Sequence, residues 1–163
     1  SPQLAALESG HSAADQENAT RPLFQFRGHK TEGYAMDWSR CDKGALATGD
    51  CNGQVFVYHP TESGWSVDTT PFVGHRASVE DIQWSPSEST VFATCSVDRT
   101  IKIWDTRSKG HKSMLSVTAH ASDVNVISWN RQVGYLLVSG SDDGTFRVWD
   151  FRNNLWGRGS SET

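Results

Sequence analysis

Short runs in which apolar and polar residues alternate recur along this chain, and polar or glycine-containing turns separate them. In residues 100–105 (TIKIWD), Ile101 and Ile103 alternate with Lys102 and Trp104, and residues 145–150 (TFRVWD) repeat the pattern. An alternation with a period of two predicts β-strands, because successive side chains of a strand point to opposite faces. Since no stretch sustains a helical period, the pattern predicts an all-β fold.

The strands belong to a unit that is written three times, with a period of 46 and then 45 residues. Five landmarks keep the same spacing in each unit. They are a histidine (His29, His75, His120), a tryptophan (Trp38, Trp84, Trp129), a small hydroxyl residue (Thr48, Thr94, Ser139), a turn residue (Asn52, Asp98, Asp143) and an aromatic residue (Tyr58, Trp104, Trp149). Five landmarks in register indicate one repeated supersecondary unit. Because most tryptophans hold this register, we expect them in the core, not as stacking platforms for nucleic acid.

Each unit is predicted to contain four short strands. First strands are expected at residues 33–39 and 79–84, second strands at 91–96 and 135–139, and fourth strands at 65–72 and 114–118. We divide the chain into a polar linker or tail (1–20), three repeats (21–60, 61–106 and 107–152) and a second polar tail or linker (153–163). The two end segments are small, polar and aperiodic, which is typical of linkers.

The sequences GHRASVEDIQWSP, TCSVDRTIKIWD and SGSDDGTFRVWD resemble the WD40 family, in which each unit forms a blade of a β-propeller. The resemblance implies about three four-stranded blades of a larger, seven-bladed propeller, because three blades cannot close a ring. It also implies a hydrogen-bonded network in each blade. The implied members are His75, Thr94, Asp98 and Trp104 in the second unit, His120, Ser139, Asp143 and Trp149 in the third, and His29, Thr48, Asn52 and Tyr58 in the first, which departs from the pattern.

Composition and charge narrow the function classes. The formal net charge of −4 argues against a general nucleic-acid binder, and the three scattered cysteines support neither a disulfide framework nor a zinc site. Sequence motifs for hydrolysis, phosphoryl transfer and zinc chemistry are missing. We therefore expect an intracellular protein-binding module, with no catalytic residues, no metal and no cofactor. The chain shows no pattern typical of a membrane span or a signal peptide.

Several polar residues near the predicted first strands are not needed by the network and are candidates for partner binding. They are Glu32, Tyr34, Asp37, Glu80, Asp81, Asp123 and Asn125. In propellers these strand starts lie around one rim, and a negative rim would attract a basic partner through long-range steering. The alternative for each single residue is an ordinary solvated loop charge.

A second candidate is the WDxR form, present as Trp104, Asp105 and Arg107 and again as Trp149, Asp150 and Arg152. It resembles the short box by which some propellers dock on the adaptor of the cullin-4 ubiquitin ligase. The alternative is an arginine that lies on the exposed edge of its blade.

Four segments are similar to one particular family, the glutamate-rich WD-repeat proteins, which are called ribosome assembly proteins in fungi. These segments are EGYAMDWS, TGDCNGQV, VEDIQWSP and DVNVISWN. The resemblance implies a nuclear and nucleolar chaperone for a basic ribosomal protein, large-subunit protein three, together with contact to the pre-ribosomal particle. It implies neither membrane binding nor direct sequence-specific nucleic acid binding. Two alternatives remain open: a substrate receptor of a cullin-4 ubiquitin ligase and a histone-binding propeller.

Overall fold

The structure is a computed structural model that describes residues 20–155, with side chains described as far as Asn153. This part of the chain contains twelve strands and one helical turn. The strands are β1 (Ala35–Trp38), β2 (Leu46–Gly49), β3 (Gln54–Thr61), β4 (Gly64–Val67), β5 (Phe72–Val73), β6 (Val79–Trp84), β7 (Val91–Ser96), β8 (Thr100–Asp105), β9 (Leu115–Thr118), β10 (Val124–Trp129), β11 (Leu136–Ser141) and β12 (Phe146–Asp150), and the helix is α1 (Arg152–Leu155).

The strands form three antiparallel sheets in which consecutive strands are neighbours. The first sheet has the order β1-β2-β3-β4, with β5 also paired to β3, the second sheet has the order β6-β7-β8-β9, and the third has β10-β11-β12. The sheets pack side by side, since β6 contacts both β1 and β10. This arrangement confirms the predicted all-β segment of a propeller.

Because the strands alternate in direction, the turns that connect them lie at the two ends of the strands. In each sheet these two rows of turns form two opposite edges. We call the edge at which β1, β6 and β10 begin the upper edge. It also carries the β2–β3, β7–β8 and β11–β12 turns. The opposite, lower edge carries the β1–β2, β3–β4, β6–β7, β8–β9 and β10–β11 turns. The upper edge is therefore the rim at which the sequence places candidate partner-binding residues.

The strand boundaries differ from the predicted ones in three places. The outer strand of the first sheet is split into β4 and β5 across residues 68–71, where Pro71 has no backbone N–H to give to a ladder. Both halves pair with β3, and β9 pairs with β8, so the sheet boundaries lie beyond the predicted repeat boundaries at residues 60 and 106. The third sheet has three strands in the described residues, and the predicted tail begins within α1. Most of the two predicted polar tails lies outside the described residues.

The middle sheet buries side chains that its two neighbours expose. Trp84 is 3% exposed, whereas the corresponding Trp38 of the first sheet is 53% exposed. Likewise Ile101 is 1% exposed, whereas its counterpart Phe146 is 75% exposed. The physical reason is that a blade buries both faces only between two others, and the described residues supply one neighbour to each end sheet.

Candidate functional site

The network of the second sheet joins its two central strands to the upper edge. The Nδ1 of His75 lies 2.9 Å from Oδ2 of Asp98, and its Nε2 lies 2.6 Å from Oγ1 of Thr94. The indole Nε1 of Trp104 donates to the same Thr94 oxygen at 2.8 Å. Because a carboxylate only accepts, the Nδ1 carries the histidine proton, and the Thr94 hydroxyl donates to the free Nε2. Every donor then has an acceptor with a neutral imidazole.

The surroundings of this network keep its two ionisable groups in fixed states. Burial lowers the pKa of His75, and this effect outweighs the opposing effect of Asp98. Burial alone would raise the pKa of Asp98, but hydrogen bonds from His75, Thr100 and the backbone N–H of Arg76 lower it well below its usual range. The network therefore consists of a neutral histidine and a charged aspartate.

The third sheet repeats the geometry. His120 lies 3.0 Å from Asp143 and 2.8 Å from Ser139, and Trp149 donates to Ser139 at 2.8 Å. The hydrogen bond from Thr145 holds the pKa of Asp143 well below its usual range.

A fifth member was missed by the sequence analysis. The hydroxyl of Thr100 donates to Asp98 at 2.6 Å, and that of Thr145 donates to Asp143 at 2.7 Å. Both threonines stand 25 residues after their histidine, and this shared spacing is the signal that could have identified them. The first unit has Gln54 at that spacing.

The prediction that Asn52 is the turn residue that pairs with His29 in the first sheet is wrong, because Asp50 has that position. His29 pairs with Asp50 at 2.9 Å and with Thr48 at 2.6 Å, while Tyr58 shares a 2.8 Å hydrogen bond with Thr48. The other Asp50 oxygen accepts the backbone N–H groups of Asn52 and Gln54.

In the first sheet, the Asp50 carboxylate thus takes the place of two groups of the second sheet, the Ser96 hydroxyl and the Asp98 carboxylate. There, the Ser96 hydroxyl accepts the N–H of Asp98, and Asp98 accepts the N–H of Thr100. Asp50 occupies the position of Ser96, and it is fully buried. A buried polar group needs partners, and the Asp50 carboxylate finds three, in His29 and the backbone N–H groups of Asn52 and Gln54, which leaves the Asn52 side chain no role in the network.

The same backbone hydrogen bond closes the upper edge of each sheet. The amides of Cys51, Val97 and Asp142 donate to the carbonyls of Glu32, Ser78 and Asp123, respectively, at 2.8–3.1 Å. These bonds place Glu32 and Asp123 at equivalent points of the upper edge, beside the second turn of their sheets. Glu32 is exposed and Asp123 is half-buried.

Two predicted partner-binding aspartates tie the sheets together instead. Asp37 accepts the backbone N–H of Trp84 at 2.8 Å, and its own carbonyl accepts the Trp84 indole N–H at 3.0 Å. Asp81 accepts the backbone N–H of Ile127 at 2.9 Å. Burial raises the pKa of both carboxyl groups. Since their oxygens bind neighbouring strands, the prediction that Asp37 and Asp81 belong to an accessible docking surface is wrong.

The remaining predicted residues stay at the upper edge. Tyr34 is 69% exposed, and Glu80 is half-buried at the start of β6. Asn125 is exposed and donates to Oδ1 of Asp142 in the β11–β12 turn. Asp142 was not among the predicted residues, and its pairing with Asn125 depends on the sheet register, which the sequence does not display.

The two WDxR arginines lie at the lower edge, where each binds its own aspartate. Arg107 donates from Nη2 to Asp105 at 2.7 Å, and Arg152 donates from Nη2 to Asp150 at 2.7 Å. These hydrogen bonds lower the pKa of both aspartates. The guanidinium of Arg152 also lies 4.4 Å from the ring centre of Tyr135, within cation–π range. Trp104 and Trp149 of the same boxes donate their indole N–H groups to the networks.

Among the described residues, no group of three or more histidine, cysteine or acidic side chains is placed to hold a metal ion. The cysteines in this part of the chain are unpaired, and burial raises the pKa of the Cys95 thiol far above its usual range. Within residues 20–155, no helix has the length and apolar character needed to cross a membrane.

Comparison with known proteins supplies the family. A model of the family described as "WD domain, G-beta repeat" matches residues 65–105 and 111–150. The first unit lies outside this match, and it is the unit with Asp50 and Tyr58 in its network. The chain is 56% identical over 104 residues to glutamate-rich WD repeat-containing protein 1 of Dictyostelium discoideum, covering 64% of this chain and 21% of that protein.

Two further relatives have comparable identity. Ribosome assembly protein rrb1 of Schizosaccharomyces pombe is 46% identical over 120 residues, which cover 73% of this chain and 24% of that protein. Protein HEAT STRESS TOLERANT DWD 1 of Arabidopsis thaliana is 54% identical over 86 residues, which cover 53% of this chain and 18% of that protein. The chain spans about a fifth of the length of these relatives. It belongs to the WD40-repeat family, among relatives named as glutamate-rich WD-repeat and ribosome assembly proteins.

Proposed function

We propose that this chain is part of a non-enzymatic WD-repeat scaffold that acts in ribosome assembly and chaperones a basic large-subunit ribosomal protein, large-subunit protein three. The observation that carries the proposal is the set of carboxylates at the upper edge that take no part in the described networks or sheet ties. These are Glu32, Glu80 and Asp123. The names of the relatives support the assembly role.

The electrostatic argument follows from where these carboxylates lie. Glu32 and Asp123 occupy equivalent points of the first and third sheets, and Glu80 lies on the first strand of the sheet between them. Acidic groups repeated along one edge attract a basic segment and speed its capture. Tyr34, exposed on the same edge, offers an aromatic surface over which a lysine or arginine side chain of the client can pack.

A basic ribosomal protein as the client explains why the upper edge is acidic. A basic ribosomal protein binds RNA nonspecifically before assembly, and an acidic surface that covers its charges prevents this until hand-over. Such a role places the protein in the nucleus and nucleolus, in contact with the pre-ribosomal particle. An acidic edge attracts a basic histone for the same reason. The identity of the client therefore distinguishes a chaperone of a ribosomal protein from a histone-binding protein.

The test is binding of the purified client to the full-length protein and to the triple variant E32K/E80K/D123K. We expect the triple variant to weaken binding by at least an order of magnitude at low salt, with a smaller difference as salt screens the charges. The matched control is Glu62→Lys, because Glu62 is an exposed carboxylate in the β3–β4 turn on the lower edge. Equal binding by the triple variant and the control would rule the upper edge out as the docking surface.

A second candidate function is suggested by the lower edge. Arg107 and Arg152 are each held by an aspartate, and both guanidinium groups remain largely exposed. Arg152 also borders a groove of about 330 Å³ with Ser87, Glu88, Gly134 and Tyr135. Preorganised, exposed arginines are suited to a protein partner such as a ubiquitin-ligase adaptor. Dependence of adaptor binding on Arg107 or Arg152, with no effect of the triple variant, would support this function.

A further inference from the structure

Two residues other than glycine have a positive φ among the described residues, Arg99 with 71° and His111 with 51°. A Cβ atom is crowded in this left-handed region, so the conformation persists where other interactions hold it. His111 has such interactions, since its ring stacks on Phe72 at a centroid distance of 4.1 Å and its Nδ1 donates to the carbonyl of Thr70 at 2.9 Å. The backbone strain at His111 thus has a structural cause.

Arg99 lies in the β7–β8 turn, at a position where the other two sheets have glycine. The corresponding residues are Gly53, with a φ of 77°, and Gly144, with a φ of 78°. In all three turns the backbone N–H of this residue donates to the carbonyl three residues earlier, at 3.1–3.2 Å. Because glycine adopts this conformation without a steric cost, the turn itself gives no reason for an arginine.

The Arg99 side chain does not stabilise the described part of the chain. Within residues 20–155 it forms no hydrogen bond, ion pair or cation–π contact, and Arg99 is exposed. Its backbone carbonyl accepts the N–H of Ala119 at 2.9 Å, a bond that a glycine would also make. A strained residue without a structural cause is a candidate for function. The Arg99 guanidinium, with its five N–H donors, can therefore bind an external anion.

Further cations surround this turn on the upper edge. The backbone N–H of Arg76 donates to the carboxylate of Asp98, the residue before Arg99, at 3.0 Å, and Arg76 is exposed. Lys102 is close enough to feel the charges of both Arg76 and Asp98. Three cations thus surround one carboxylate, and that carboxylate already accepts the hydrogen bonds of its network. This part of the upper edge attracts an anion.

The rest of the upper edge decides which anion fits. Glu32, Glu80 and Asp123 lie along the same edge, and they would repel the successive phosphates of a nucleic acid. A protein segment that is basic overall but carries one carboxylate can pair with both signs of charge. A carboxylate also matches the planar fork of a guanidinium. The charges of this edge therefore favour a protein carboxylate.

We propose that Arg99 binds a carboxylate of the basic client and fixes the position of that client on the upper edge, a role that rests on the proposed function. The acidic residues of the edge attract the client over a long range. Arg99 then favours a segment that places an acidic residue over the second sheet, because a segment with basic residues alone would meet an unpaired arginine there. The upper edge selects a client segment of mixed charge.

The test is titration of the full-length protein with purified large-subunit protein three at low salt. Arg99→Gly and Arg99→Ala both remove the guanidinium, and we expect each to weaken binding at least about fivefold. Long-range attraction alone predicts the opposite result, because either substitution makes the upper edge more negative. The matched control is Lys109→Ala, which removes an exposed cation from the β8–β9 turn on the lower edge and leaves binding unchanged.

Thermal unfolding of the same variants distinguishes a docking role from a structural one. Arg99→Gly removes the strain of a Cβ atom in the left-handed region, so its melting temperature should equal or exceed that of the wild type. Arg99→Ala keeps the Cβ atom and should melt below Arg99→Gly or with it. A melting temperature of Arg99→Gly clearly below the wild type would assign Arg99 to the scaffold and overturn the proposal.

The triple variant E32K/E80K/D123K in the same titration separates this inference from the function on which it rests. Weaker binding by the triple variant, with wild-type binding by both Arg99 variants, would overturn the role of Arg99 and leave the proposed function in place. Wild-type binding by the triple variant would overturn the proposed function and the role of Arg99 with it. Binding to poly(U) RNA that is lost in Arg99→Gly, with client binding unchanged, would assign the arginine to phosphates instead.

Discussion

The Asp81 side chain of the second sheet accepts the backbone N–H of Ile127 in the third sheet at 2.9 Å. Asp37 makes the equivalent link from the first sheet to Trp84 of the second at 2.8 Å. Adjacent blades are thus joined by a charged side chain that accepts from a neighbouring strand, as well as by apolar packing. Charge-assisted hydrogen bonds of this kind are stronger than neutral ones.

The Asp81 tie predicts different outcomes for two substitutions. Asp81→Ala leaves the buried N–H of Ile127 without its acceptor, and we expect a loss of about 1–3 kcal/mol in the free energy of unfolding. Asp81→Asn keeps one acceptor oxygen for the two backbone N–H groups, of Ile82 and Ile127, that the carboxylate accepts, and it removes a charge whose burial raises the carboxyl pKa, so its cost is smaller than that of alanine. Urea unfolding of the full-length protein measures both. Equal losses in the two variants would contradict a role as an acceptor.

The Trp104 indole predicts a large stability effect with a polar component. Trp104 is fully buried and its Nε1 donates to Thr94, so Trp104→Ala should cost roughly 3–5 kcal/mol. Trp104→Phe keeps an aromatic ring, loses the donor and costs less. Trp149→Ala in the third sheet also costs less, because Trp149 is only partly buried. Thermal unfolding checks this order, and a Trp149→Ala loss as large as that of Trp104→Ala would contradict it.

The network of His75 and Asp98 predicts that stability falls with acidification. Burial lowers the pKa of His75 below its ordinary value of 6.5, so as the pH drops through 6.5 the unfolded chain takes up a proton that the folded chain resists. The pKa of Asp98 is also lowered, so its contribution is present above its ordinary value of 3.8 and is lost below it. The free energy of unfolding should therefore decrease from pH 7.5 to pH 5.5.

The histidine contribution is isolated by His75→Gln, which cannot titrate. Urea unfolding of this variant at pH 7.5 and 5.5 should show a smaller difference than the wild type. A wild type that gains stability on acidification relative to His75→Gln would show that His75 is protonated in the folded state, against the assignment of a neutral ring.

Charge reversal at the upper edge should weaken client binding without lowering stability at some positions, and it should lower stability at others. Glu80→Lys should leave the melting temperature nearly unchanged and weaken client binding, since its carboxylate takes no part in the described networks. Asp81→Lys, one residue later, should lower the melting temperature because it breaks the tie to Ile127. Differential scanning fluorimetry with client titration measures both effects. A melting temperature that falls equally in both variants would remove the distinction between surface and scaffold.

The hydrogen-bonded residues that could be predicted from the sequence are those whose positions are fixed by spacing within one repeat unit. The networks around His75 and His120 follow from a repeat whose members lie in neighbouring strands of one sheet. The prediction failed at Asn52 because Asp50, two residues earlier, reaches His29 with a longer side chain than the Ser96 that it replaces. Spacing alone does not show which of two neighbouring polar residues reaches the ring.

Contacts between sheets were not predictable from the same pattern. Asp37 and Asp81 stand at different spacings from their histidines, so the repeat does not mark them as equivalent ties. Trp38 carries the landmark spacing of a core residue, yet its exposure depends on whether another sheet covers it. The contact of His111 with Phe72 requires the interrupted outer strand, which arises near Pro71 and has no counterpart in β9.

The most direct test of the scaffold function is affinity purification of the tagged full-length protein from its own cells at low and moderate salt, with stoichiometric partners identified by mass spectrometry. We predict a basic large-subunit ribosomal protein at near one-to-one ratio, lost as salt rises and absent from the E32K/E80K/D123K purification, but retained by Glu62→Lys. Retention of that client by the triple variant, or a ubiquitin-ligase adaptor in its place that is lost on changing Arg107 or Arg152, would contradict the account.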